Sequence, residues 1–276
     1  MRFDILISPA TKEKPAAMLS RLFEGGVATG VDVRPIRHYE PRPGAVLVLY
    51  GLGAPDRMAS AKMHRDRRGH VVSLDAGYWE RKSEHRKFRV SIDGFHCPQL
   101  IMRGSDPGPE RLNASGIHMS SMAHPAGDIV LVGNGQKSVS VDAEGWTARK
   151  SLEIRKAFPR RRIIYRPKRQ FVERGVSFDG KASEEKIEKV LAKSSLVVCR
   201  HSNVAVDACR MGIPVVCEDG AAAAIYPERL EDEAKQPSLA LRAEFLRRLA
   251  WWQWSMPEME KGLIWPWLMG ALNEVL

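Results

Sequence analysis

Short apolar runs recur along the chain, and each closes on a glycine or a polar turn. They read FDILIS (3–8), VDVRPI (31–36), AVLVLYG (45–51), HVVSLDAG (70–77), DIVLVGNG (128–135), RRIIYRP (161–167), SLVVCRHSN (195–203) and PVVCEDG (214–220). Between several of them the apolar positions take the helical period, over Lys14–Glu24, Pro55–Arg68, Glu144–Phe158, Glu184–Lys193 and Asn203–Met211. Their shortness decides for strand over buried helix. Strands separated by helical crossovers predict parallel sheets with helices on both faces, an α/β fold.

The pattern fades from Ser105 to Pro125, where Gly, Pro, Ser and Asn dominate. That stretch reads as loops or a linker, with a boundary near Ala123–Gly127. Two Rossmann-type lobes follow, 1–124 and 125–244, with a cleft between them. In the remainder, 245–276, Phe245, Leu249, Trp252, Met256 and Met259 recur at helical spacing and predict a packing helix. Its aromatics could also stack nucleic-acid bases, but Glu258 and Glu260 would repel a phosphate backbone.

Charge adds a partner class. The 276 residues carry a net charge of +10, which draws anions: nucleic acid, acidic lipid, phosphorylated substrates or nucleotides. Basic residues cluster at Lys62–Arg68, Arg81–Arg89 and Arg160–Arg169. No apolar run is long enough to span a membrane, and the first residues lack a cleavage signal, so a cytoplasmic protein is expected. The four cysteines contain no C-x-x-C pair, which argues against zinc and for small buried hydrophobes.

The strongest candidate chemistry lies at 195–221. A buried strand ends at Cys199, and the turn Arg200-His201-Ser202-Asn203 opens a helix whose free N–H groups face the strand ends. Open α/β sheets bind ligands there. Asp207 lies one helical turn beyond Asn203. Gly212-Ile213-Pro214 stops the helix, and Glu218-Asp219-Gly220 closes the next strand over the same crevice. Two further segments carry similar signals. Gly133 and Gly135 let the loop after one strand approach a phosphate or sugar, with Lys137 and Ser138 adding charge and donors. Arg166 and Lys168 flank a proline just past another strand end, a spacing suited to a diphosphate. Each segment also has a plainer structural reading: a capped βαβ unit, a tight turn, a solvated basic strand end.

Taken together, the three segments resemble the donor-binding lobe of GT-B glycosyltransferases over roughly a third of the chain. The family pattern has an acidic residue five positions before a Gly-x-Pro, as Asp207 stands before Gly212; the family often has Glu there. The resemblance implies that Asp207 binds ribose hydroxyls. It further implies that Lys137, Ser138, Arg166 and Lys168 lie near the phosphates, with Arg200, His201, Ser202 and Asn203 on the leaving-group side. In capsule-type members a His stands where this chain has Lys168. The expected co-substrate is a nucleoside-diphosphate sugar, with no further cofactor. No Asp-x-Asp stands in a strand-turn setting, so metal is expected to be dispensable, with Glu218 and Asp219 the residues that could argue otherwise. GT-B enzymes typically end in a helix crossing back to the first lobe, the role expected for 245–276.

In the first lobe, Leu74–Glu80, Arg89–His96 and Phe245–Gly262 resemble phage-encoded glycosyltransferases, some linked to DNA base modification. That resemblance implies a hydroxymethylated pyrimidine in DNA as acceptor. Asp75, at a strand end, and His96 are the candidate general bases for an inverting transfer. Asp75 also reads as a turn residue, His96 as a packed histidine and Asp93-Gly94 as a hairpin turn. The alternatives are a saccharide-directed transferase, an epimerase or hydrolase of similar lobes, and a nucleic-acid-binding protein with an inactive donor site.

Overall fold

A computed structural model of the chain describes residues 1–79, 86–120, 126–135, 145–168, 173–233 and 235–275. The chain divides into two compact units. Unit 1 comprises Met1–Leu100 and Trp251–Leu276, and unit 2 comprises Ile101–Ala250.

Unit 1 begins with β1 (Arg2–Leu6), α1 (Glu13–Ala28), β2 (Asp32–Ile36), β3 (Ala45–Tyr50), α2 (Pro55–Asp66), β4 (Val71–Ala76) and β5 (Lys87–Ile92), and α3 (Pro98–Ile101) leads into unit 2. The sheet order is β10-β5-β4-β3-β1-β2, where β10 is Gln253–Ser255. The β4-β3-β1-β2 core is parallel. Its central strand β3, AVLVLY, is apolar on both faces because it has neighbours on both sides and layers above and below. The expectation of a wholly parallel sheet needs one correction here: β5 runs antiparallel to β4, and β10 antiparallel to β5. No helix separates β4 from β5 among the described residues, so the chain reverses instead of crossing over.

Helix α1 extends four residues beyond Glu24, to Ala28. Gly25 and Gly26 do not stop it, because they serve packing. A Cβ on Gly25 would stand 1.9 Å from the Met259 carbonyl oxygen, so α1 and α9 (Met256–Glu260) meet backbone to backbone.

Unit 2 contains α4 (Glu110–Ala114), β6 (Asp128–Val132), α5 (Trp146–Ala157), β7 (Ile163–Arg166), α6 (Ile187–Leu191), β8 (Ser194–Cys199), α7 (Val204–Met211), β9 (Val215–Cys217) and α8 (Leu239–Trp251). Its sheet, β7-β6-β8-β9, is parallel throughout. The segment after α3 belongs to this unit for an electrostatic reason. The Arg248 guanidinium, buried on α8, donates to the carbonyls of Arg103 (2.7 Å), Gly104 (3.1 Å) and Ser105 (3.3 Å).

The helix expected through 245–262 is broken. α8 stops at Trp251, Gln253–Ser255 pairs with Lys87–Arg89 as β10, and Ser255 then starts α9 with a capping box to Glu258. The side chain of Gln253 accepts the Tyr78 N–H at 2.9 Å, a contact available only from an extended backbone laid beside β5. α10 (Ile264–Asn273) closes unit 1, with Trp265 buried edge-on against Phe3 at a centroid distance of 4.8 Å. No helix among the described residues is long and apolar enough to cross a membrane.

Candidate functional site

The carboxyl ends of β6, β7, β8 and β9 lie at one edge of the unit 2 sheet, because the strands are parallel. The turn Arg200–Asn203 leaves β8 there. The Ser202 hydroxyl accepts the Val204 N–H at 3.3 Å, holding the entry to α7 open, while Asn203 occupies the cap position without a side-chain cap bond. Asp207 sits in the first turn of α7, its backbone N–H bonded to the Asn203 carbonyl at 3.2 Å. Its carboxylate lies 3.9 Å from the Arg210 guanidinium and is mostly buried.

The loop after β9 folds back onto this turn. The N–H groups of Asp219 and Gly220 both donate to the Arg200 carbonyl, at 3.0 and 3.1 Å. The Asp219 carboxylate lies 3.2 Å from Arg200 Nε and 3.5 Å from His201 Nδ1. Burial pushes the Asp219 carboxyl up, but the hydrogen bond from His201 and the charges of His201 and Arg200 outweigh it and hold it below its ordinary value. The result is a turn clamped from below by an ionised carboxylate.

Glu218 faces elsewhere. One oxygen accepts Trp146 Nε1 at 2.7 Å, and the other lies 3.1 Å from Lys150 Nζ. Burial alone would depress the Lys150 ammonium; hydrogen bonds to Glu153 and Glu218 reverse that and raise it. Glu218 therefore ties β9 to α5 with both oxygens engaged.

At the end of β6, Gly133 donates its N–H to the Arg166 carbonyl at 2.9 Å, and a Cβ there would stand 2.7 Å from the Tyr165 hydroxyl. Glycine is needed for that approach, whatever the loop binds. Gly135 lies against the aliphatic stem of Lys168. The Arg166 guanidinium donates to the main-chain carbonyls of Ser183 and Glu185, bracing that segment against β7. Lys137 and Ser138 lie outside the described residues.

Sequence reasoning read the Gly-Asn-Gly loop for its glycines and passed over Asn134. The Asn134 side chain is 3% exposed, and its amide nitrogen has no hydrogen-bond partner. Its backbone N–H donates to Glu173 at 3.1 Å, and the same carboxylate oxygen accepts the Thr147 hydroxyl.

In unit 1, Asp75 ends β4 and is paired in register with Arg89 of β5. Its carboxylate accepts the Ala76 N–H at 2.7 Å and lies 3.1 Å from Arg89 Nη2. The other arm of the same guanidinium donates to His96 Nε2 at 3.0 Å. Arg89, buried between them, joins the two residues singled out as bases; antiparallel pairing that the sequence does not display makes the connection. Asp93 is no hairpin turn. It follows β5, adopts φ 57°, and turns its carboxylate back to accept the Val71 N–H at 2.8 Å and to meet His70 Nδ1 at 2.7 Å. Among the described residues, no cluster of three His, Cys, Asp or Glu side chains is placed to hold a metal ion.

No protein-family model matches the chain, and no curated protein matches it in sequence. Solved structures match it in fold. KpsC of Thermosulfurimonas dismutans, a beta Kdo 2,7 transferase, superposes with a TM-score of 0.52 at 12% identity, over 96% of this chain and 99% of that one. The beta Kdo 2,4 transferase of the same organism's KpsC gives 0.48 at 12% identity, over 90% of each chain. The UDP-GlcNAc 2-epimerase of Methanocaldococcus jannaschii gives 0.31 at 9% identity, over 99% of this chain and 100% of that one. The first of these, with the two sheets described above, establishes the fold: α/β and GT-B-like, with two Rossmann-type units.

Proposed function

We propose that the protein is a glycosyltransferase that moves a sugar from a nucleoside-diphosphate donor, held on unit 2, to a hydroxyl of an acceptor held on unit 1. The observation that carries this reading is the turn Arg200–Asn203 with Asp207 one helical turn on, opening at the carboxyl edge of a parallel sheet. A carboxylate suits a ribose diol because it accepts two hydrogen bonds. The α7 N–H groups, Arg200 and His201 supply the positive potential that a departing diphosphate needs.

In the inverting form of the reaction, the acceptor oxygen attacks the anomeric carbon as its proton passes to a base. The carbon–oxygen bond to the diphosphate breaks, and its electron pair leaves with the diphosphate. Asp75 suits the base better than His96. The Nε2 lone pair of His96 already accepts from Arg89, whereas Asp75 spends one lone pair on each oxygen and keeps another, on a side chain 41% exposed. In this reading His96 positions Arg89, and Arg89 positions Asp75.

For the acceptor, the finer proposal is a hydroxymethylated pyrimidine in DNA. Its support is the excess of positive charge and the basic surface of α2. A duplex base would have to leave the stack, at a cost of a few kcal/mol that phosphate contacts offset.

A thermal-shift panel of nucleoside-diphosphate sugars identifies the donor, since a bound ligand raises stability by mass action. Calorimetry on Asp207→Ala then tests the site. Loss of a charged hydrogen-bonding partner predicts donor binding weaker by roughly 1.5–3 kcal/mol with the fold intact. Unchanged affinity in a folded variant sinks the ribose role. Incubating the enzyme with donor and hydroxymethylated or unmodified DNA, followed by nucleoside mass spectrometry, tests the acceptor. If no nucleoside is glycosylated, the acceptor is a saccharide or small molecule.

A further inference from the structure

The carboxyl edge of β3 carries two polar groups that the reaction above does not use. Tyr50 ends the strand, and its ring packs edge-on against Phe88 at a centroid distance of 6.4 Å. Among the described residues its hydroxyl meets no hydrogen-bond partner. Arg57, in the first turn of α2, holds its guanidinium carbon 6.0 Å from the centre of the same ring. Its Nε is buried without a partner, and no carboxylate among the described residues pairs with it.

A buried guanidinium N–H without an acceptor is costly, as is a half-buried phenol with nothing to bond. Natural proteins keep such groups where a ligand completes them. The surrounding charge says which ligand. The Tyr50 hydroxyl lies within the field of Arg86, Arg57 and Arg89 against the single carboxylate of Asp75. Asp75 is already bonded to Arg89, so the local excess is carried by Arg57 and Arg86. Two guanidinium groups and a phenolic donor match a phosphoryl group, whose oxygens accept several charge-assisted bonds at once. A parallel strand end is also where α/β sheets take ligands.

We propose that Tyr50 and Arg57, with Arg86 beside them, form a phosphate-binding site on unit 1 that holds a phosphoryl group of the acceptor. The acceptor assignment rests on the proposed function; phosphate binding by these side chains does not. The phosphoryl group belongs either to a nucleic-acid backbone or to a small phosphorylated acceptor, and one titration separates the two.

The test is calorimetry on the full chain with inorganic phosphate and, separately, with a hydroxymethylcytosine oligonucleotide, for wild type, Arg57→Gln and Tyr50→Phe. Tyr50→Phe keeps the ring contacts, and thermal unfolding checks that both variants fold. Inorganic phosphate should bind wild type at millimolar concentration. Arg57→Gln should weaken it at least about tenfold and Tyr50→Phe about threefold, as expected for a charged and a neutral hydrogen bond. An oligonucleotide weakened in parallel makes the source a nucleic acid; one that never binds makes it a small molecule. Wild type that takes up no phosphate overturns the site, and so do folded variants that bind phosphate as tightly as wild type. Nucleotide-sugar affinity, measured on the same samples, should not move with either substitution. Failure of the donor reading would therefore show there and leave the phosphate titration intact.

Discussion

Asp219 shows how a single side chain organises the candidate donor turn. Its carboxylate engages Arg200 and His201 from the loop after β9, and their charge holds its pKa below the ordinary 3.8 despite partial burial. Because the folded state binds this proton less tightly than the unfolded chain, the carboxylate stabilises the fold above the ordinary value. That contribution is lost as pH falls through the lowered one. Asp219→Asn should therefore destabilise unit 2 at pH 7, by less than about 1 kcal/mol since the carboxylate is half exposed and screened. The difference between variant and wild type should shrink toward zero as urea melts are repeated down to and below the ordinary carboxylate range. A difference independent of pH would mean that the loop depends on shape and not on charge.

Residue chemistry was legible in the sequence only where it is local. The turn from Arg200 to Asn203 and the position of Asp207 follow from one strand, one helix and their spacing. The fate of Glu218 does not, since its partners Trp146 and Lys150 lie about seventy residues away on another element. Nor does the Asp75–Arg89–His96 connection, which depends on the antiparallel register of β4 and β5.

Among the elements, α1 and α9 give the sharpest case of packing overriding propensity. In an exposed helix, replacing glycine by alanine gains about 1 kcal/mol. At Gly25 the new Cβ would stand 1.9 Å from one backbone atom and 2.8 Å from another, the Met259 carbonyl oxygen and the Gly262 nitrogen. Backbone cannot step aside as a side chain can, so the helices must separate. Overpacking of this kind costs about 1–3 kcal/mol or more, and the clash wins. Gly25→Ala should lower the melting temperature of the intact protein. At Gly30, where nothing lies within 4 Å, the same substitution meets only its own backbone conformation. A Gly25→Ala variant as stable as wild type would mean that α1 and α9 do not pack this closely. The same region shows why element boundaries were harder to read than elements. Phe245, Leu249 and Trp252 keep helical spacing across a real break, because a three-residue strand is too short to impose its own period. The signal that marks the restart, Ser255 followed three residues later by Glu258, lies within the pattern and is outvoted by it.

At the scale of the whole molecule, the chain's last residues belong to its first unit. Residues 251–276 supply β10 at the sheet edge and place Trp254, Met259, Trp265, Leu268 and Leu272 in the unit 1 core. The join is specific: Trp265 Nε1 donates to the Leu22 carbonyl at 3.2 Å, and Gln253 takes the Tyr78 N–H. Fully burying one large apolar side chain is worth about 1.5–3 kcal/mol, so five of them approach the entire net stability of a typical domain. A chain ending at residue 250 should therefore lose unit 1 cooperatively and keep unit 2, which that truncation leaves entire. Limited proteolysis followed by mass spectrometry reads this directly. Cleavage should spread through 1–100 and spare 101–250, while adding a separate 251–276 peptide should restore protection in proportion to its concentration. Uniform cleavage of both regions would show that the two units do not fold independently. Protection of 1–100 without the tail would show that the C-terminal aromatics cover unit 1 and do not build it.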